Sequence, residues 1–165
     1  MNVAIGPKAE KFATGVGKLL VALLFLEHAL RLYLDGLRPV RQVIELRRLA
    51  ELKASDVLPE TAFTDSATYQ DLIARYNQAV RKESPDCDVD EGLGELHHTI
   101  ATGRMSPLIS PDTPFALLTF GRPSGGQVEV TAVQLLSEEW LEARFAQIMA
   151  ATEKVQAAFR ARVKS

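Results

Sequence analysis

Apolar residues recur with helical spacing through most of this chain, and the breaks between the recurring stretches divide it into elements. The first stretch, over about residues 8–34, gives way to "DGLRP", where Gly36 and Pro39 stop a helix. Its middle, "LLVALLFL" at residues 19–26, is apolar almost all round, as a central or interface helix is. A second helix is expected after Pro39, over about 40–54. In the third, Tyr69, Leu72, Ile73, Tyr76 and Val80 fall at i, i+3, i+4, i+7 and i+11, which makes one buried stripe. Asp65 or Ser66 stands where it can cap this helix, and Ser84-Pro85 ends it.

The fourth helix opens at "DVDE", where Asp88 and Glu91 have capping-box spacing. Val89, Leu93, Leu96 and Ile100 form its stripe and Gly103 its stop, with a proline-broken loop (Pro107, Pro111, Pro114) expected next. "FALLTFGRPSGGQVEVTAV" then reads as two short strands about Gly125-Gly126. In the second, Val128, Val130 and Ala132 alternate with polar neighbours, as in a half-buried strand. A last helix starts at Ser137, with Glu138 and Glu139 placed favourably for the helix dipole. Leu141, Phe145, Ile148, Thr152, Val155 and Phe159 follow at the 4-3-4-3-4 spacing of a bundle seam. The expected architecture is one domain over residues 1–165: an all-α five-helix bundle with a short β-hairpin inserted at about 115–133.

Composition narrows the function classes. The 165 residues are 47% hydrophobic and 24% charged, with a net charge of −2. That balance lacks the basic excess of a dedicated nucleic-acid binder and leaves room for a local patch only. Cys87 is the sole cysteine, which excludes an internal disulfide, a Cys-rich zinc site and a redox pair, and fits a reducing cytoplasm. The apolar run at 19–26 falls well short of the roughly 20 residues that span a bilayer, and no small-residue cleavage site follows it. Neither a membrane helix nor a signal peptide is expected.

Candidate chemistry centres on "ELHHTIATGRM", residues 95–105, which holds two of the three histidines. At about 100° per residue His97 falls on the flank of the apolar stripe and His98 nearly opposite it. Adjacent helical residues do not face each other, so the pair is a poor clamp for one ion. Glu91, Glu95 and His98 share the outward face, and Glu95-x-x-His98 has the spacing used in di-iron bundles. Those bundles need a second such motif, and the chain has none, so no metal and no cofactor are expected. A metal-dependent enzyme using Glu91, Glu95, His98 and His28 stays open as an alternative.

Other features bear on partners. Gly92 and Gly94 each cost on the order of 1 kcal/mol inside a helix. Gly94 shares the outward face with His98, which points to close approach of a second subunit. Arg31, Arg38, Arg41, Arg47 and Arg48 form either a phosphate-binding strip or a salt-bridged exposed face, since Arg41, Glu45 and Arg48 are spaced for ion pairs. "ATGVGK" at 13–18 lacks the first glycine and the Ser/Thr of a phosphate loop and is flanked by helix rather than strand.

The segment 95–105 also resembles the signature of the HEPN (higher eukaryotes and prokaryotes nucleotide-binding) family, in which a helix of an all-α bundle ends in a pattern like Leu-Arg-x-x-x-Ala-His-Gly-Arg. Leu96, Ile100, Ala101, Gly103 and Arg104 match that frame. For active members the resemblance implies metal-independent RNA cleavage at sites paired across a dimer. An imidazole moves the proton of a 2′-hydroxyl there, and a guanidinium holds the phosphate. Here His97 stands in place of the catalytic arginine and Thr102 in place of the catalytic histidine. Threonine is no base at neutral pH, and imidazole is the weaker phosphate clamp. The resemblance therefore implies a catalytically degenerate, homodimeric protein that binds RNA or a partner protein in a defence or toxin–antitoxin setting. Its surface would comprise His97, His98, Gly94, Arg104, Arg41 and Arg48. A plain dimeric interaction module is the remaining alternative.

Overall fold

The computed structural model describes residues 7–37, 51–107 and 115–163. Among them are four α-helices: α1 (Pro7–Asp35), α2 (Tyr69–Val80), α3 (Gly92–Thr102) and α4 (Glu138–Val163). Three strands, β1 (Arg104–Pro107), β2 (Phe115–Phe120) and β3 (Val130–Leu135), form one antiparallel sheet in the order β1-β2-β3. The expected all-α five-helix bundle is thus corrected to a mixed architecture of helices and a three-stranded sheet. Most of the expected second helix, with Arg38, Arg41, Arg47 and Arg48, lies outside the described residues, and residues 51–54 are turn and irregular chain. Two compact units emerge, Met1–Leu23 with Gly92–Met149, and Leu24–Glu91 with Ala150–Ser165. α1 and α4 each contribute to both.

The first unit holds the sheet. Gly125 and Gly126 have φ of +59° and +79°, the paired left-handed conformation that turns a tight hairpin and that glycine adopts without strain. β2 and β3 pair across it as expected. The third strand is the correction, because residues 104–107 run antiparallel to β2 where a proline-broken loop was expected. Pro107 ends this outer strand, a position that tolerates a missing N–H. The expected half-buried alternation of the second hairpin strand does not form either. Val128 and Val130 are 47% and 49% exposed and Ala132 is exposed too, because β3 is an edge strand and an extra residue in it, opposite Thr119/Phe120, breaks its alternation.

Ala116 and Leu117 of β2, Leu93 and Leu96 of α3, Phe12 and Leu19 of α1, and Leu141 and Ile148 of α4 are buried in this unit. Each fully buried leucine or phenylalanine contributes roughly 1.5–3 kcal/mol. The Phe12 and Phe115 rings stack at 4.2 Å. A Cβ on Gly15 would come within 2.9 Å of Leu141 Cδ1, so glycine lets α1 approach α4 closely here. Ser137 Oγ accepts the Trp140 N–H at 3.1 Å and starts α4 where the sequence placed it.

The second unit is built around α2. Tyr69, Leu72, Ile73, Tyr76 and Val80 are all buried, as their spacing requires. The cap is Thr68, in a capping box with Asp71, rather than Asp65 or Ser66. Asp65 is occupied elsewhere. Its carboxylate accepts from Arg31 Nη1 at 3.0 Å and Arg75 Nη1 at 2.7 Å. Arg31 also donates to Glu27 at 2.9 Å and to the Ala62 carbonyl at 2.9 Å, stitching the segment before α2 to α1. Burial pushes the Asp65 carboxyl up, but Arg75, the Ala67 N–H and Arg31 together outweigh it and hold the group below 3.8.

Asn77 is buried beside this stripe and bonds both backbone groups of Val89. That explains a second correction. The expected capping box at Asp88 and Glu91 is absent and α3 starts at Gly92, because Val89 spends its N–H and C=O on Asn77 and cannot enter a helical ladder. Asp88 and Glu91 instead face Arg81 at 3.5 and 4.0 Å.

The all-round apolar middle of α1 divides by exposure. Leu19, Leu23, Leu26 and Leu30 are buried, whereas Val21, Leu24 and Phe25 are 51%, 60% and 63% exposed. By length and composition Glu10–Asp35 is apolar enough to cross a bilayer, a test that the core helix of a soluble protein also passes.

Candidate functional site

Helix gives way to strand within one residue at the end of α3. Thr102 is the last helical residue, and Arg104 is the first of β1. Gly103 between them donates its N–H to the Thr99 carbonyl at 2.8 Å. A Cβ at Gly103 would collide with that same oxygen and crowd Leu117 Cδ2 at 3.2 Å. Glycine is required at this joint.

The joint forms one side of a cleft of about 510 Å³ within the first unit. From the helix end it is lined by His98, Thr99, Thr102 and Arg104. The sheet supplies Thr119, Phe120 and Thr131, and the hairpin turn adds Gly121, Pro123 and Val128. The volume lies in the range of small-molecule sites, about 300–1,000 Å³.

The lining carries one permanent cation, one imidazole, four hydroxyls and a short apolar wall, with no carboxylate among the ten residues. The Arg104 guanidinium carbon sits 5.0 Å from the centroid of the Phe120 ring. Among the described residues no carboxylate pairs with Arg104, so its charge is left for solvent or a ligand. Thr102 Oγ1 donates to the His98 carbonyl at 2.8 Å, which commits its hydrogen to the helix. Thr131 Oγ1 donates to Thr119 Oγ1 at 3.2 Å, which leaves the Thr119 hydrogen free to donate onward. Such a surface accepts a ligand that is anionic or rich in acceptors and carries an apolar part. Its one side chain able to act as a base is the His98 imidazole.

Three of the residues singled out in the sequence, His98, Thr102 and Arg104, meet in this cleft. His97 is half-buried and lies outside the lining. Gly94 is corrected: it is buried, not outward-facing, because the chain covers an arc of α3 wider than the Leu93–Leu96 stripe. Arg41 and Arg48 lie outside the described residues. Arg31, from the same arginine group, is spent on Glu27, Asp65 and loop carbonyls. Glu91, Glu95 and His98 do not assemble: Glu91 faces Arg81, and no group of three or more potential ligands forms among the described residues. His28 stands edge-on to Phe63 at 5.6 Å.

The sheet half of the cleft was not foreseen. Phe120, Thr119 and Thr131 reach the helix end only because β1 pairs with β2, which placed Arg104 opposite Leu118 and so near Phe120. A hairpin signal lay in the sequence; the third strand that connects it to the helix did not. No protein-family model matches the chain, and neither does any curated protein or solved structure.

Proposed function

We propose that this chain binds single-stranded RNA without cutting it, as a homodimer that carries a degenerate HEPN-like motif at the end of α3. The observation that carries the binding is the cleft of His98, Thr102 and Arg104 against the sheet, cationic and free of lining carboxylates. Phosphate contacts from such a surface supply affinity without sequence preference. The reading that it does not cut rests on the residues at the motif positions. Thr102 offers no base, its hydroxyl is bonded to the His98 carbonyl, and His97 brings no guanidinium. The defence or toxin–antitoxin setting rests on the motif resemblance alone.

A labelled single-stranded RNA of roughly a dozen nucleotides, long enough for a site of this kind, tests the reading by fluorescence anisotropy. Binding is expected at low salt, weakening as salt rises, with the RNA recovered intact after long incubation. Absence of binding at low salt would remove the RNA reading. Cleavage by the purified wild type would remove the degenerate one.

A further inference from the structure

Resting on the RNA reading of the cleft, we infer that Arg104 is a stacking platform for a nucleobase, and not only a point charge for a phosphate. Its guanidinium is placed by an aromatic ring: Arg104 lies 5.0 Å from the Phe120 centroid, and no carboxylate among the described residues draws it away. Planarity and weak hydration suit this group to stacking, on Phe120 and on a base alike. The sheet fixes the pair. Arg104 is paired with Leu118, and Phe120 follows two residues on, so both side chains project from the same face.

The rest of the cleft divides in the way such a ligand does. Phe120 is 36% and Val128 47% exposed, and with Pro123 they give an apolar side beside the guanidinium. The Thr119 hydroxyl, already accepting from Thr131, keeps its own hydrogen available for a ligand acceptor. A base on the Arg104–Phe120 pair, with its phosphate toward the hydroxyl donors, uses both sides at once. Single-stranded RNA bases stack on aromatic rings and on arginine planes in this manner. A pure phosphate clamp would leave the apolar side without a role.

Lysine keeps the charge of Arg104 and removes its plane, so Arg104→Lys separates the two roles. Anisotropy is read on wild type, Arg104→Lys and Arg104→Ala with two probes, a single-stranded RNA and an abasic sugar–phosphate chain of equal length. Arg104 is exposed, and a thermal melt checks that each variant folds. On the base-bearing RNA, Arg104→Lys is expected to lose roughly tenfold, about as much as Arg104→Ala, the scale of one base–aromatic stack. The abasic chain is expected to bind wild type that much more weakly, with Arg104→Lys changing it little. Equal, salt-dependent binding of both probes, or full affinity in Arg104→Lys, would overturn the platform and leave RNA binding in place. Failure of both probes to bind at low salt would overturn the RNA reading and the platform with it.

Discussion

Asn77 holds Val89 by both of its backbone groups: Nδ2 donates to the Val89 carbonyl and Oδ1 accepts the Val89 N–H, each at 2.8 Å. Asn77 is 1% exposed and Val89 3%, so neither partner has water to fall back on. Replacing Asn77 with alanine leaves two buried backbone groups unpaired, at a cost of about 1–3 kcal/mol each. Asn77→Ala should therefore lower the urea midpoint clearly while leaving the slope unchanged. A midpoint equal to that of wild type would show that another group takes over both bonds.

Stability should fall in acid through Asp65. Its folded-state pKa lies below the ordinary 3.8, because the bonds from Arg75, Ala67 and Arg31 outweigh the effect of burial. A depressed carboxyl stabilises the fold above its unfolded pKa, and that contribution is lost as pH falls through the folded value. The thermal midpoint should thus hold from neutral pH down to about 4 and decline below it. In Asp65→Asn the midpoint should be lower at neutral pH and its acid decline shallower. Parallel acid declines in both proteins would assign the effect to other carboxylates.

Gly103→Ala should disturb the cleft without altering any side chain that lines it. The added methyl meets the Thr99 carbonyl and Leu117, so the helix end or the strand must shift. Overpacking of this kind costs about 1–3 kcal/mol. Weaker RNA binding should accompany the lower melting point. Unchanged binding in a destabilised variant would show that the cleft tolerates movement at its joint.

Dimerisation is expected from the outer face of α1, where Val21, Leu24 and Phe25 stand more than half exposed. Light scattering at micromolar concentration should return about twice 18.1 kDa. Leu24→Asp should halve that mass. A monomeric wild type would remove the paired site that the motif resemblance implies.

The helices were legible because each announces itself locally. The stripe of α2 is complete in the sequence, and its five members are all buried. Asn77 was not legible, since a polar residue beside the stripe reads as solvent-facing until Val89 arrives from twelve positions away. The same bond hid the true start of α3. β1 was illegible for a related reason. Four residues with Met105 as their main apolar side chain show no alternation, and only pairing with β2 makes them a strand. The helix half of the cleft could therefore be named from sequence, whereas Phe120, Thr119 and Thr131 depended on a pairing that leaves no local trace.

The junction at Gly103 also makes the site sensitive to chain length in a way that side-chain chemistry does not reveal. Arg104 now stands opposite Leu118 and Met105 opposite Leu117. One residue inserted after Gly103 would bring Arg104 opposite Leu117 and Met105 opposite Ala116. Strand side chains change sides at every step, so that shift would turn the guanidinium to the far face of the sheet and put the inserted residue in its place beside Phe120. The cleft therefore depends on the number of residues at the joint as well as on their identity.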